Sequence, residues 1–119
     1  MVLIMQRKSN SQSRGPHADE KAFMAWCKEQ PSIVSGQWGV EVHHCVGSSR
    51  KTYVNNERIH IGHWFVIPLT PDEHRLFHSD KFEFIHRHGE QSELWLKLIE
   101  NYPVDIPLKV IQGIAQYGK

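Results

Sequence analysis

Two pairs of histidines set the chemical question. His43 and His44 stand side by side in Val-Glu-Val-His-His-Cys-Val-Gly, near the end of a run whose apolar residues alternate. His74 and His78 stand four apart in Thr-Pro-Asp-Glu-His-Arg-Leu-Phe-His. Neighbours on a strand point to opposite faces. The first pair is therefore either one buried structural ring beside one exposed ring, or two rings that serve one reacting phosphate from different directions. Residues four apart on a helix lie on one face about a turn from each other, and two imidazoles so placed can share a metal ion. A polar helix face has the same spacing, so both readings stand for His74 and His78.

The elements that must position these rings can be read from local signals. Thr70 is a helix cap, Pro71 fits the first turn, Asp72 faces the helix dipole, and Glu73 completes a Thr-x-x-Glu capping box. Residues 63–69, His-Trp-Phe-Val-Ile-Pro-Leu, are rich in aromatic and branched side chains and predict a strand running into that helix. Residues 19–30 predict an earlier helix, with acids at its start, Phe23, Trp26 and Cys27 on one face, and Pro31 as its stop. Residues 31–44 read as turn, strand, turn, strand, with Val40 and Val42 on one face and Glu41 and His43 on the other. Residues 46–62 carry Gly, Ser and Asn clusters without a sustained period and read as a long loop, a length that tends to be functional. Further helices are expected over 81–87, ended by Gly89, over 92–101 before Pro103, and over 106–117 before Gly118. Residues 5–16 are polar, with Arg7, Lys8 and Arg14 but no acid, and end in Gly-Pro. They extend the expectation of a flexible basic arm over 1–18, leaving one α+β domain over 19–119.

Composition narrows the classes. A chain of 119 residues, 39% hydrophobic and 23% charged, supports one modest core, which any site must share. A formal charge of +1 gives no global pull toward nucleic acid, so contact with phosphate would have to come from local cations. Cys27 and Cys45 form neither a CxxC pair nor a disulfide framework, and suit free thiols packed as small hydrophobes in a reducing cytoplasm. No apolar run reaches the length of a membrane span, and Met1 to Met5 is followed by Arg7 and Lys8 instead of a longer apolar region and cleavage site. A cytoplasmic protein without a membrane partner is the expectation.

Paired histidines at a strand end, a second strand, and a capped helix presenting His-x-x-x-His together resemble the HNH, or ββα-metal, nuclease finger. From Phe23 to Leu98 the resemblance is closer to the phage and prophage HNH proteins related to the recombination enhancement function nuclease, Ref. Their pattern runs Leu-Ala-Trp, Pro-Cys-x-x-Cys-Gly, His-His, and Val-x-Pro-Leu-Cys-x-x-His-His-x-x-x-His. The resemblance implies a small ββα-metal finger with flanking helices and DNA endonuclease activity. His43, His74 and His78 would be metal ligands and His44 the general base. It also implies DNA as substrate and a RecA-type recombinase filament as a partner. Ser32, Ser35 and Thr70 stand where those relatives have cysteines, so a second, structural zinc is not expected, and packing by Trp26, Trp38 and Trp64 would replace it. Phe65 occupies the usual Asn position of the HNH pattern; His63 either supplies the support normally given to the base or is a surface or loop histidine.

The chemistry is coherent with those roles. Imidazole near its pKa can take a proton from water, and a divalent cation stabilises phosphoryl charge. Three neutral imidazoles suit one ion of zinc, manganese, nickel or cobalt better than magnesium, which prefers oxygen. Phosphate contacts would come from Arg50, Lys51 and Arg58 in the loop, with Arg75 and Lys81 near the helix. Two other readings remain open: a DNA-binding module of the same fold without turnover, acting in recombination, and a zinc-stabilised structural or regulatory protein.

Overall fold

The structure, a computed structural model, describes residues 15–117. Most of the expected basic arm lies outside the described residues. The rest is a small α+β domain. Helix α1 (Ala18–Lys28) is followed by strand β1 (Glu41–His44), a hairpin of β2 (Lys51–Val54) and β3 (Glu57–His60), and strand β4 (Val66–Leu69). Helices α2 (Pro71–Ser79), α3 (Lys81–His88), α4 (Gln91–Ile99) and α5 (Leu108–Ala115) complete it.

β1 pairs antiparallel with β4, from Glu41 opposite Leu69 to His44 opposite Val66. All four β4 residues are buried, because α1 and α4 pack against the strand and α2 leaves it directly. Phe23, Phe65, Ile67, Leu69, Phe84 and Trp95 form the centre of the core, and Trp95 Nε1 donates to the Trp64 carbonyl at 2.7 Å. Burying each such side chain is worth about 1.5–3 kcal/mol before conformational entropy is charged against it.

α2 forms as its signals predict. Thr70 accepts from the Glu73 amide, Glu73 returns a bond to the Thr70 amide, and Pro71 opens the helix. α3, ended by Gly89 at φ 95°, and α4 and α5 also lie where expected.

Three expectations require correction. Residues 46–62 are not a loop throughout: Asn55 (φ 52°) and Asn56 (φ 67°) turn β2 into β3 with Tyr53 opposite Arg58. Two consecutive positive φ values describe the hairpin turn that asparagine tolerates, flanked by alternating side chains. The base of this hairpin demands glycine at position 62, where a Cβ would lie 2.2 Å from the Ser48 carbonyl oxygen. The strand expected over 63–69 is shorter, since Trp64 and Phe65 turn back onto the Ile61 carbonyl before β4 begins. Residues 32–37 hold a turn and no strand, closed by Ser32 N to the Gln37 carbonyl at 2.8 Å and Gly36 N to the Ser32 carbonyl at 2.9 Å.

That turn is tied down by hydrogen bonds more than by the expected tryptophans. Ser32 Oγ donates to Glu73 Oε1 at 2.6 Å and accepts from the amides of Val34 and Ser35, while Glu73 Oε1 also accepts from Thr70 N at 2.8 Å. Burial alone would raise the Glu73 carboxyl, but the bonds from Ser32, Ser35 and Thr70 hold it below the usual glutamate value. Trp38 is 72% exposed and takes no part in the core; Trp64 is buried and Trp26 stacks on Phe23.

Candidate metal centre

Alternation along β1 separates the adjacent histidines. His43 turns toward α2, where its ring centroid lies 4.8 Å from His74 and 5.7 Å from His78. His44 turns the other way, 6.1 Å from the ring of His63. On α2, His74 and His78 stand one turn apart with centroids 4.9 Å from each other. A ring nitrogen from each of His43, His74 and His78 falls within 4.8 Å of the other two, a spacing that can hold one ion. The sequence-predicted ligand set is thus brought together from two elements. The same separation answers the question posed by the pair: each ring serves a different face.

Hydrogen bonds orient two of the three rings. Gln91 Oε1, at the start of α4, lies 2.8 Å from His43 Nε2. A carbonyl oxygen only accepts, so Nε2 carries the proton and Nδ1 keeps its lone pair. That Nδ1 is buried and has no hydrogen-bond partner among the described residues. Glu41 Oε1 lies 2.9 Å from His74 Nδ1, which leaves the lone pair of His74 on Nε2. Histidines that bind metals ordinarily donate their second N–H in this way, to a carboxylate or a carbonyl. The orphaned nitrogen and the all-imidazole donor set fit a divalent transition metal.

Burial is the main reason that the His43 pKa falls to about 4, assisted by His74, His78 and His44 and opposed by the Gln91 bond. His44 is lowered in the same direction by burial, then by His63. Both rings are therefore held neutral near pH 7. His63 is itself buried, not a surface histidine. Phe65 packs against Trp95 and Tyr117 in the core.

The expected phosphate contacts divide between surfaces. Arg50, Lys51 and Arg58 line one groove at the base of the hairpin. Lys81 shares an adjacent cleft with Arg50, and its Nζ lies 5.8 Å from the Phe77 centroid. Arg75 borders the small cavity beside His74 and His78, and pairs with Asp72 on its own helix. Cys45 lies outside the histidine cluster and packs against the core; both cysteines are free thiols. A second group, His17, Asp19 and Glu20, sits at the start of α1, where Glu20 Oε1 already accepts from the His17 amide at 2.7 Å.

Sequence reasoning missed Glu41 and Gln91 as partners of the ligands. Glu41 was accessible to it, since a residue two before His43 on a strand shares its face. Gln91 lies 48 residues from His43 and carries no local signal.

Residues 13–106 match the family DUF968, described as a protein of unknown function. That span includes every histidine of the centre together with Glu41 and Gln91. No curated protein and no solved structure matches the chain. Among the described residues no helix is long and apolar enough to cross a membrane.

Proposed function

The chain belongs to the DUF968 family, and for it we propose a metal-dependent DNA endonuclease of the HNH, ββα-metal kind. The observation that carries this reading is the convergence of His43, His74 and His78 within 4.8 Å, from a strand and from the helix that follows its antiparallel partner. The order strand, strand, helix, with candidate ligands on the first strand and the helix, supports a ββα-metal reading. These three rings would hold one divalent ion, and zinc, manganese, nickel or cobalt would suit them better than magnesium. When bound, the ion supplies Lewis-acid stabilisation of phosphoryl charge.

The chain's own residues supply the remainder. Gln91 and Glu41 accept the ring N–H groups of His43 and His74, which leaves the other ring nitrogen of each able to ligate. His44, exposed at the end of β1, accepts a proton from the attacking water at a ring nitrogen, and the neighbouring buried ring of His63 restrains it. Hydrolysis then breaks one P–O bond of the phosphodiester and leaves a phosphomonoester and a hydroxyl. The Ref resemblance adds a RecA-type filament as a partner in recombination.

Metal analysis of the purified chain and of the His74→Ala/His78→Ala variant tests the centre. About one ion per chain is expected, and none in the variant. Plasmid nicking with manganese, nickel, cobalt, zinc and magnesium tests the activity, which His44→Ala should abolish without loss of metal. Undiminished cleavage in His44→Ala would remove the base assignment. A second reading, a DNA-binding module without turnover, is favoured by Phe65: an apolar core side chain occupies the position from which the HNH pattern offers a polar one. Metal and DNA binding without nicking under any of these ions would select it.

A further inference from the structure

A surface on the hairpin and the start of α3 combines cations with exposed aromatic rings. On the hairpin, Lys51 and Tyr53 project from one face of β2, and Arg58 stands directly opposite Tyr53 on β3. The other face of β2 is occupied: a Cβ on Gly113 of α5 would lie 2.7 Å from Thr52 Cγ2. Lys51, Tyr53 and Arg58 line a shallow groove of about 630 Å³ together with Arg50. Arg50 also walls a cleft of about 440 Å³ whose far side carries Lys81 and Phe82. Gln91 lines that same cleft and bonds to His43, so the surface runs up to the back of the histidine centre. Glu90 is the acid on its wall.

Two features separate this surface from ordinary solvated charge. Arg50, Lys51, Arg58 and Lys81 have no carboxylate partner within ion-pair distance among the described residues, a state they share with Lys21, Lys28 and Lys97, but these four are gathered on the walls of two connected grooves. Arg50 is instead held by the Tyr117 hydroxyl at 3.3 Å. Tyr53 is 63% exposed and Phe82 is 85% exposed, both among the most exposed large apolar side chains of the domain.

We propose that this surface binds single-stranded DNA, with Tyr53 and Phe82 as stacking platforms for bases and Arg50, Lys51, Arg58 and Lys81 as partners for the backbone. The proposal takes DNA as the ligand from the nuclease reading above and extends it to the strandedness of the substrate. A duplex hides its base faces within the stack and presents phosphates and base edges, which call for cations and polar groups. Open rings set among cations match a strand whose bases are free to stack, and such stacking tolerates any sequence. The groove therefore distinguishes strandedness before it distinguishes sequence.

Fluorescence anisotropy of the full chain tests this, using a labelled 12-nucleotide DNA strand and its duplex in a chelating buffer that prevents cleavage. The strand should bind at least about tenfold tighter than the duplex. Tyr53→Ala and Phe82→Ala should each weaken strand binding by about 5- to 100-fold and leave duplex binding within about twofold. Tyr53→Phe and Phe82→Tyr should restore it. Arg50→Ala should weaken both ligands and lower the salt dependence. Equal or tighter binding of the duplex would overturn the proposal, as would aromatic variants that bind the strand normally. Circular dichroism of each variant confirms folding, and the exposure of both rings makes truncation there tolerable. Metal binding measured on the same preparations separates the two readings. Strand preference without a metal site retains the groove and removes the nuclease. A metal-dependent nicking activity indifferent to Tyr53 and Phe82 does the reverse.

Discussion

Glu73 is the residue whose removal tests the architecture most directly. Its Oε1 accepts from Ser32 Oγ at 2.6 Å and from Thr70 N at 2.8 Å, and both donor residues are buried. Glu73→Ala removes the shared acceptor and half of the capping box. Each buried donor left without a partner costs about 1–3 kcal/mol, and partial rescue by water and relaxation brings the sum to about 2–4 kcal/mol. For a domain of this size that corresponds to a fall in Tm of about 10–20 °C. Glu73→Gln keeps a carbonyl acceptor without the charge and should cost about 1 kcal/mol. Ser32→Ala should cost about 1–2 kcal/mol, because the amides of Val34 and Ser35 also lose their acceptor. The assay is urea unfolding followed by tryptophan fluorescence in a chelating buffer, which keeps any metal on the adjacent His74 out of the measurement. The double variant completes the cycle, and a coupling of at least about 1 kcal/mol is expected for two residues sharing one bond. Strict additivity of Ser32→Ala and Glu73→Ala, or a cost below about 0.5 kcal/mol for Glu73→Ala, would refute the claim that this carboxylate pins the 32–37 turn to α2.

Three further outcomes follow from the same geometry. Glu41→Ala and Gln91→Ala should each weaken metal affinity by about 10- to 100-fold, read by competition with a chromophoric chelator at pH 7.5; unchanged affinity would mean that the rings are oriented by packing alone. Burial pushes the Cys27 thiol up to about 12 from its ordinary value of 9.0. Its folded pKa exceeds the unfolded one, so its contribution is present below about pH 9 and is lost as pH rises toward 12, by up to about 1.4 kcal/mol per pH unit. The stability gap between wild type and Cys27→Ala should shift by about 1 kcal/mol between pH 9 and 10 in urea titrations, and parallel curves would contradict it. In the hairpin, Asn56→Gly should raise stability by about 0.5 kcal/mol and Asn56→Val lower it by about 1–2 kcal/mol, since φ is 67° there; thermal melts that order the two variants the other way would rule out the turn.

Whatever depends on neighbours in the chain was legible beforehand. The start of α2 was marked by Thr70, Pro71 and Glu73 within four positions, because a cap, a preset φ and a reciprocal bond are all local. That helix in turn put His74 and His78 on one face. The alternation of β1 likewise sent His43 and His44 apart. The β2–β3 hairpin was also locally written, in Asn55-Asn56 between alternating residues, and was missed because the Gly and Ser residues before it obscured the short period.

Tertiary structure decided what no local pattern contains. The 4.8 Å closeness of His43 to His74 and His78 depends on β1 pairing with β4 in one register, and a slip of one residue would have presented His44 instead. The proton on His43 depends on Gln91, which arrives from α4, 48 residues further on. Ser32 meets Glu73 across 41 positions, and a turn that could have been held by packing is held by a carboxylate. Local sequence chooses conformations through steric and hydrogen-bonding preferences of adjacent residues, whereas a site assembled from distant segments exists only once burial of the core has chosen a single docking of those segments.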